Sequence, residues 1–261
     1  MTKLFEIKKE SVAKDDAVLL CEIGDTYACT ATYDPVAKEI NNLEYYTFPP
    51  AELTDNITKI FSAAVAGQRK QIIGSAFAEA VMVPYALFRQ DAAKDYFENI
   101  PTTQMLHDHI AEWQVVTAYT FPKSVLDIVN KENVQFFHNY TTTLKVYNGF
   151  DAENQVSVHF SPQRFRVVVK KEGKLQLAQT YAYTVPLDVV YYLLSIYQQF
   201  DLPKEETYLL LSGLVEEESA LFKELHGYFL NLHFNAGSVT TPVAGYPAHY
   251  FTSLFNLAAC A

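Results

Sequence analysis

The stretch VLLCEIGDTYACTATYD, Val18 to Asp34, holds two apolar and β-branched runs on either side of Gly24-Asp25. Runs of this kind predict β-strands, and a glycine–aspartate pair between them predicts the tight turn of a hairpin. We therefore predict strands over Val18–Cys21 and Tyr27–Tyr33. A glycine turn beside an acidic residue is also one way for a backbone to approach a phosphate, so the turn has two possible roles.

The next segment continues with a strand, a helix and another strand. Glu39–Phe48 predicts a third strand, and Pro49 favours a helix start because proline is tolerated in the first turn. Apolar residues from Leu53 to Phe61 recur at helical spacing, which predicts one buried helix face. Gln71–Phe77 is a short apolar run of the buried-strand type.

The second half of the sequence repeats this order. Gln155–Ser161 predicts a strand, and Arg164–Thr184 predicts a hairpin that turns at Glu172-Gly173. A helix is predicted after Pro186, and Thr207–Gly213 predicts the apolar strand that closes the repeat.

The two copies also share one spacing along the chain. Tyr46 to Pro49 lies 137 positions before Tyr183 to Pro186, and Ser75 lies 138 before Gly213. Tyr-Thr-Phe-Pro occurs a second time from Tyr119, so the tetrapeptide alone marks only a strand end before a helix. The order and the common offset together predict an α/β fold with duplicated lobes, in which mixed sheets are flanked by helices.

We predict a first lobe over residues 1–149 and a second over 150–261, with the boundary in the turn-rich Asn148–Asn154. The first lobe carries an inserted segment at about residues 81–120. In and after this segment, Asp91–Ile100 predicts a helix, whereas Thr103–Ile110 and Trp113–Phe121 predict strands. Helical turns are expected near 122–132 and 138–148, and the chain is expected to end in a helix, a strand and a closing helix.

Composition excludes several classes of protein. The 261 residues are 49 % hydrophobic and 19 % charged, which is enough apolar material for sizeable cores. The net charge of −10 repels phosphate backbones and anionic lipid, so we expect neither direct nucleic-acid binding nor membrane docking. The first residues lack a signal-peptide run, and no segment nears the roughly 20 apolar residues of a membrane span, which predicts a cytoplasmic protein.

Three cysteines, Cys21, Cys29 and Cys260, fit no zinc template. We expect the first two to lie in the core and Cys260 to be exposed. His107 and His109 share one strand face, yet no third ligand with suitable spacing is visible, so an exposed pair without a metal is expected. The sequence has no nucleophile elbow, Walker A loop or dinucleotide-binding glycine motif.

Duplicated strand–strand–strand–helix–strand lobes with an insertion in the first resemble the ribonuclease-H-like lobes of the actin-like ATPase superfamily. More narrowly, the chain resembles the DUF3822 family of Bacteroidetes. The residues that carry this resemblance are VVTAYTFPKSVLDIV (115–129), FFHNYTTTL (136–144) and GYPAHYFTSLFNLAACA (245–261). It implies an actin-like ATPase fold, and no assigned activity because the family's function is unknown.

In this superfamily the first hairpin of each lobe pairs an acid with a glycine turn that faces phosphate and metal. Glu22, Gly24, Asp25 and Thr26 resemble the Asp-x-Gly-Thr-Thr pattern of the first lobe. However, Glu22 is one methylene longer than aspartate, and Asp25 places a negative charge where a phosphate oxygen would lie. The second-lobe turn, Ser161 to Arg164, has neither an acid nor a glycine.

The adenosine site of the superfamily needs a glycine pair, and Gly213 is a single glycine followed by three glutamates. We therefore interpret the first turn as a hairpin turn and expect no catalytic residue, no metal and no cofactor.

The leading hypothesis is a non-enzymatic protein that binds a protein partner. The alternative is an atypical nucleotide-binding switch or weak ATPase that uses ATP with Mg²⁺ at Glu22, Gly24, Asp25, Thr26 and Gly213 in the cleft between the lobes. Tyr192 or Tyr197 on the second predicted helix could contribute to a partner surface.

Overall fold

The computed structural model of the protein describes residues 1–8, 16–64, 70–97, 103–146, 152–237 and 245–261. The strands in these ranges are β1 (Thr2–Ile7), β2 (Val18–Ile23), β3 (Tyr27–Asp34), β4 (Glu39–Thr47), β5 (Lys70–Ser75), β6 (Ala80–Pro84), β7 (Thr103–Ile110), β8 (Val115–Pro122), β9 (Val134–His138), β10 (Gln155–Ser161), β11 (Arg164–Lys171), β12 (Lys174–Ala182), β13 (Tyr208–Gly213) and β14 (Leu232–Phe234). The helices are α1 (Leu53–Ala64), α2 (Ala93–Tyr96), α3 (Lys123–Val129), α4 (Asn139–Lys145), α5 (Pro186–Gln199), α6 (Ala220–His226) and α7 (Thr252–Ala258).

By internal contacts the chain divides into two units. The first contains Met1–Val146 and Ser253–Ala261, and the second contains Tyr147–Thr240 and Gly245–Thr252. The boundary that the sequence predicts falls within residues 147–151, which lie outside the described ranges, so the division into lobes 1–149 and 150–261 stays a prediction. The last nine residues group with the first unit.

The first unit is built on a mixed six-stranded sheet in the order β1-β4-β3-β2-β5-β9. Strands β2, β3 and β4 form an antiparallel meander, whereas β5 is parallel to both β2 and β9. A parallel step needs a crossover, and α1 supplies it between β4 and β5 with Ile57, Ile60 and Phe61 buried. The predicted hairpin, third strand, helix and buried strand are therefore all present.

The inserted segment forms a separate antiparallel sheet in the order β6-β8-β7. The predicted strands near 103–110 and 113–121 correspond to β7 and β8. The predicted helix over Asp91–Ile100 is wrong in length, because the described part of the chain has only the single turn α2 and residues 98–102 lie outside that part. Strands β1, β6 and β9 were not predicted.

The second unit repeats the plan on a five-stranded sheet in the order β12-β11-β10-β13-β14. Strands β10, β11 and β12 are antiparallel, and β13 joins β10 in parallel after the crossover helix α5. One face of the sheet packs alternate valine and phenylalanine side chains against α5, and these form the unit's apolar core. In both units the first strand of the meander therefore pairs in parallel with the strand after the helix.

Candidate functional site

The turn between β2 and β3 lies where the resemblance places phosphate and metal. Its backbone is used within the hairpin: the Gly24 N–H donates to the Tyr27 carbonyl at 3.0 Å, and the Phe48 N–H donates to the Thr26 carbonyl at 2.9 Å. The Tyr27 ring covers the glycine, since a Cβ at Gly24 would lie 2.5 Å from Tyr27 Cε1. Gly24 is therefore required by close packing of the turn on its own tyrosine.

Glu22, the acid of this turn, is buried at 3 % exposure. Its Oε1 accepts a hydrogen bond of 2.5 Å from the Tyr27 hydroxyl, and the Tyr27 ring stacks on Tyr45 with centroids 5.3 Å apart. Burial, followed by the nearby Glu22 carboxylate, raises the pKa values of Cys29 and Tyr45 well above their ordinary values. The carboxylate thus lies within the packed interior of the hairpin.

The carboxyl ends of the parallel strands bring further polar groups close to Glu22. Glu22 pairs in register with Gly74 of β5, and a Cβ at Gly74 would lie 3.2 Å from Asn139 Oδ1. Within the described residues, Glu22 Oε2, Ser75 Oγ and both side-chain polar atoms of Asn139 are buried without a hydrogen-bond partner. Buried polar atoms of this kind cost free energy, so this edge holds the least satisfied polar cluster of the first unit's main sheet.

Asn139 was missed by the sequence analysis. The available signal was its position directly after the apolar strand β9, because ligand-facing residues of open α/β sheets follow the carboxyl ends of strands.

The corresponding turn of the second unit has different chemistry. Ser161 Oγ donates to the Arg164 carbonyl at 3.3 Å, and Gln163 adopts a left-handed conformation with φ of 60°. Pro162 has no N–H to offer an anion. The turn therefore contains neither an acid nor a glycine that could correspond to Glu22 or Gly24.

Gly213, the last predicted site residue, has φ of +78°, and a Cβ there would lie only 2.0 Å from the Phe160 carbonyl oxygen. The Leu214 N–H donates to that same oxygen at 2.9 Å. The glycine is thus needed where β13 ends against β10, which accounts for it without any ligand.

Next to Gly213, a polar row crosses three strands of the second unit, with Ser212 and Arg166 buried and His159 half-buried. His159 Nδ1 lies 3.0 Å from Ser212 Oγ, and His159 is paired in register with Arg166. Burial, Arg166 and then His249 hold the pKa of His159 well below its ordinary value, which keeps the ring neutral near pH 7. His249 in turn contacts the Val215 carbonyl at 2.8 Å and stacks on Phe234.

A magnesium nucleotide, which the resemblance implies, does not fit these residues as they are placed. The amide and the face of Gly24 are occupied by Tyr27, and the Glu22 carboxylate is bound by the tyrosine hydroxyl. A phosphate needs free amides, and a metal needs oxygens that can move out to it. The second-unit turn supplies no acid for such a metal.

The histidine pair lies on β7 as expected, with ring centroids 5.3 Å apart. His109 is exposed, whereas His107 is half-buried against Phe88. Asp108 between them points inward, where it accepts hydrogen bonds from the His138 N–H at 2.7 Å and the Tyr119 hydroxyl at 3.2 Å. No group of three or more possible metal ligands occurs among the residues that the structure describes.

The remaining predictions divide between correct and wrong. Cys21 and Cys29 are buried, and burial raises the pKa of Cys21 to about 12, so its thiol is inert. Cys260 is half-buried rather than exposed, with Sγ 3.9 Å from the Asn256 carbonyl. The prediction that Tyr197 could contribute to a surface is wrong, because its side chain lies in the core and is only 4 % exposed. The exposed tyrosine of α5 is Tyr191, at 68 %.

The sequence matches one protein family. A family model described as "Protein of unknown function (DUF3822)" matches residues 11–232. No curated protein matches the sequence. None of the described helices has the length and apolarity that a membrane crossing requires.

Solved structures with the same fold cover nearly the whole chain. A Bacteroides thetaiotaomicron VPI-5482 protein with an actin-like ATPase fold and unknown function superposes with a TM-score of 0.78 at 18 % identity, covering 95 % of this chain and 97 % of that one. A PilM–PilN type IV pilus biogenesis complex superposes with a TM-score of 0.65 at 11 % identity, covering 93 % of this chain and 98 % of that one. The cytoplasmic domain of EpsL, an inner membrane component of the Vibrio cholerae type II secretion system, superposes with a TM-score of 0.52 at 10 % identity, covering 94 % of each chain. The fold is therefore that of the actin-like ATPases.

Proposed function

We propose that this chain, which belongs to the DUF3822 family of unknown function, is a non-enzymatic protein that binds a protein partner. In this proposal the actin-like fold serves as a scaffold and ATP hydrolysis plays no part. The fold itself does not decide between these roles, since one fold carries many functions. The decision rests on the chemistry of the individual turns.

The observation that carries the proposal is the placement of Tyr27. One side chain covers Gly24, binds the Glu22 carboxylate and stacks on Tyr45. To receive a phosphate and a metal, the hairpin would have to expel a buried ring and lose a buried hydrogen bond. Such a change costs several kcal/mol, by order of magnitude, before any ligand contact is gained.

The solved structures are consistent with partner binding by this fold. The PilM–PilN structure is that of a complex, and EpsL is a component of a secretion system. At 11 % and 10 % identity these likenesses concern the fold, so they make the proposal reasonable without identifying a partner.

A thermal-shift titration with Mg-ATP tests the non-enzymatic part of the proposal. A ligand at 100 times its dissociation constant would add about 2.7 kcal/mol of stability, which raises the melting temperature by several degrees. We expect no rise with Mg-ATP, Mg-ADP or Mg²⁺ alone. A rise that is lost in Glu22→Gln would overturn the proposal in favour of a nucleotide-binding switch.

Affinity purification from the native cell, followed by titration of the purified partner, tests the binding part. We expect a stoichiometric complex whose affinity is the same with and without nucleotide. Phosphate release from ATP by the purified protein, or by its complex, at a rate abolished in Glu22→Gln would contradict the proposal. We expect the complex in the cytoplasm, which fractionation can check.

A further inference from the structure

Strand β7 of the inserted sheet carries two imidazole side chains near its C-terminal end. Successive side chains of a strand point to opposite faces, so His107 and His109 share one face and Asp108 lies on the other. His109 is exposed, and His107 is half-buried. Positions two residues apart on a strand are separated by about 6.7 Å, yet the two ring centroids are only 5.3 Å apart. The two rings therefore lean toward each other.

The separation of the rings matches that of two imidazoles bound to one metal ion. A histidine nitrogen bonded to zinc at about 2.0–2.1 Å places the ion about 3.2 Å from the centroid of its ring. Two such rings have centroids about 5.2 Å apart at the tetrahedral angle and about 4.5 Å apart at a right angle. The observed 5.3 Å fits tetrahedral coordination, which is the usual geometry of zinc sites.

Aromatic side chains hold the pair in place. Phe88, which follows the end of β6, has its ring centroid 5.1 Å from that of His107 and 6.0 Å from that of His109. The Tyr85 ring lies 5.4 Å from the His109 ring on the same measure. These contacts restrict where the two imidazoles can lie, and a restricted pair loses less conformational freedom when it binds an ion.

The nitrogens of the pair are not used within the described part of the chain. The histidine rings with hydrogen bonds there belong to three other residues: His138, His159 and His249. The χ2 angle of histidine has a broad energy minimum, so the exposed His109 ring can turn a nitrogen toward an ion at little cost. Binding an ion therefore breaks no hydrogen bond between described residues.

The neighbours of the pair add no further protein ligand. The Asp108 carboxylate accepts from the His138 N–H on the other face of the strand. Across the ladder, the residues opposite the pair are Ala118 and Val116, which are both apolar. Among the described residues no three possible ligands come together, so the site consists of two imidazoles with its other positions open to water.

The type of ligand selects the class of cation. Imidazole suits zinc, nickel and copper, whereas magnesium and calcium prefer carboxylate, carbonyl and water oxygens. The net charge of −10 favours the approach of any cation, so the choice between cations is made by the nitrogens.

Two ligands on one strand bind an ion more tightly than either ligand alone. Once one imidazole holds the ion, the strand keeps the other at a high effective concentration. The sequence predicts only that His107 and His109 share a face, and it predicts no metal because a third ligand is missing. The distance between the rings, which the sequence does not contain, is the reason to revise that expectation.

We propose that His107 and His109 form a chelating site for a zinc-class divalent cation on the inserted sheet. This site goes beyond the proposed partner-binding function and does not depend on it. Zinc binding and partner binding are measured separately, so either can fail while the other stands.

The test is a calorimetric titration of the full chain, without a histidine tag, with zinc chloride. We expect one zinc ion per chain, and no binding of magnesium chloride. His109→Gln removes one ligand at an exposed position and should weaken zinc binding by at least about tenfold. The absence of zinc binding by the wild-type chain, or equal affinity in His109→Gln, overturns the proposal.

Matched variants separate the pair from single histidines. His226→Gln and His233→Gln each remove an exposed histidine elsewhere and should leave the zinc affinity unchanged. His107→Gln should weaken zinc binding as much as His109→Gln does. Melting temperatures in EDTA show whether each variant folds, and His109→Gln decides the outcome if His107→Gln is destabilised. A loss in His226→Gln or His233→Gln as large as that in His109→Gln would mean non-specific binding.

Nuclear magnetic resonance of the histidine side chains locates the ion. The chain has seven histidines, and zinc should shift the ring nitrogens of His107 and His109 together until one equivalent is bound. The other five should keep their positions. Shifts at only one of the two rings, or shifts of similar size at the other histidines, would contradict a chelating pair.

Discussion

Tyr27 determines the character of the first turn, because it contacts both the glycine and the acid that a phosphate and metal site would need there. It covers Gly24, and its hydroxyl binds Glu22. A tyrosine directly after the glycine turn can reach back across the hairpin because side chains on adjacent antiparallel strands lie side by side. The chemistry of the turn thus depends on one residue outside the motif itself.

Replacing Tyr27 by phenylalanine should destabilise the protein by about 1–3 kcal/mol, since it removes a hydrogen bond from a buried carboxylate. The measurement is the free energy of unfolding in urea. Tyr46→Phe is the matched control: the Tyr46 hydroxyl donates to Glu44 at 2.8 Å in a more exposed setting, and its loss should cost less than about 1 kcal/mol. Equal losses in the two variants would show that burial of Glu22 does not matter.

Asp108 predicts a pH dependence of stability. Burial raises its pKa from 3.8 to about 6, against the opposing effect of bonds from the His138 N–H, Thr141 and Tyr119. The folded state therefore disfavours the charged form. Its contribution to stability is fully present below about pH 4 and is lost as the pH rises through about 6.

Asp108→Asn should remove this dependence, because asparagine carries no charge. Its Oδ1 can still accept from the His138 N–H, and its Nδ2 can donate to the Tyr119 hydroxyl oxygen. The variant should gain stability relative to wild type by up to about 3 kcal/mol between about pH 4 and about pH 8. Urea unfolding at the two pH values measures the difference, with exposed Asp127→Asn as the control. A difference between variant and wild type that stays constant with pH would contradict the assignment.

At the scale of elements, local turn chemistry specifies the hairpins. Glu172 and Gly173 both have positive φ, at 49° and 72°, as a two-residue hairpin turn of the right twist requires. Glycine adopts this conformation without cost, whereas glutamate is strained there by about 1–2 kcal/mol. The sequence predicts this turn because the glycine and the alternating flanks are adjacent in the chain.

Glu172→Asn should therefore stabilise the second unit by about 0.5 kcal/mol, because asparagine tolerates the left-handed conformation better. Thermal unfolding should show a melting temperature higher by a degree or more. Glu153→Asn makes the same change in charge outside the turn and should not reproduce the gain. A lower melting temperature for Glu172→Asn would mean that the glutamate has a contact that outweighs its strain.

Strands β1, β6 and β9 show where element prediction fails. Strand β1 contains Lys3 and Glu6 and is exposed along most of its length, so no apolar run identifies it. It becomes a strand because it pairs with β4 some forty residues later. Short edge strands of this kind are defined by their partners, and pairing partners are not visible in a local pattern.

At the scale of the whole molecule, the C-terminal segment belongs to the first unit. Three side chains of this segment are at most 2 % exposed: Leu254, Phe255 and Leu257. Leu257 packs against β5, since a Cβ added at Gly74 would lie 3.2 Å from Leu257 Cδ2. The first unit therefore takes part of its core from the far end of the chain.

Removal of residues 253–261 should selectively loosen the first unit. We expect faster amide exchange in β5 and α4 and little change in β10 and β13, because residues 253–261 group with the first unit. Leu257→Ala is a milder version and should cost about 2–5 kcal/mol. Deleting only Cys260 and Ala261 is the control. Uniform loosening of both units would show that the segment stabilises them together.

The sequence by itself determined the order of strands and helices within the two repeats, their hairpin turns, the duplication and the acidic charge. These follow from periodicity and turn residues, which act between near neighbours in the chain. Only the tertiary structure decided that Tyr27 binds Glu22 and that Asn139 lies beside Gly74. The physical reason is that burial, hydrogen-bond partners and free edges depend on which distant segments meet, and that information is not contained in any local run of residues.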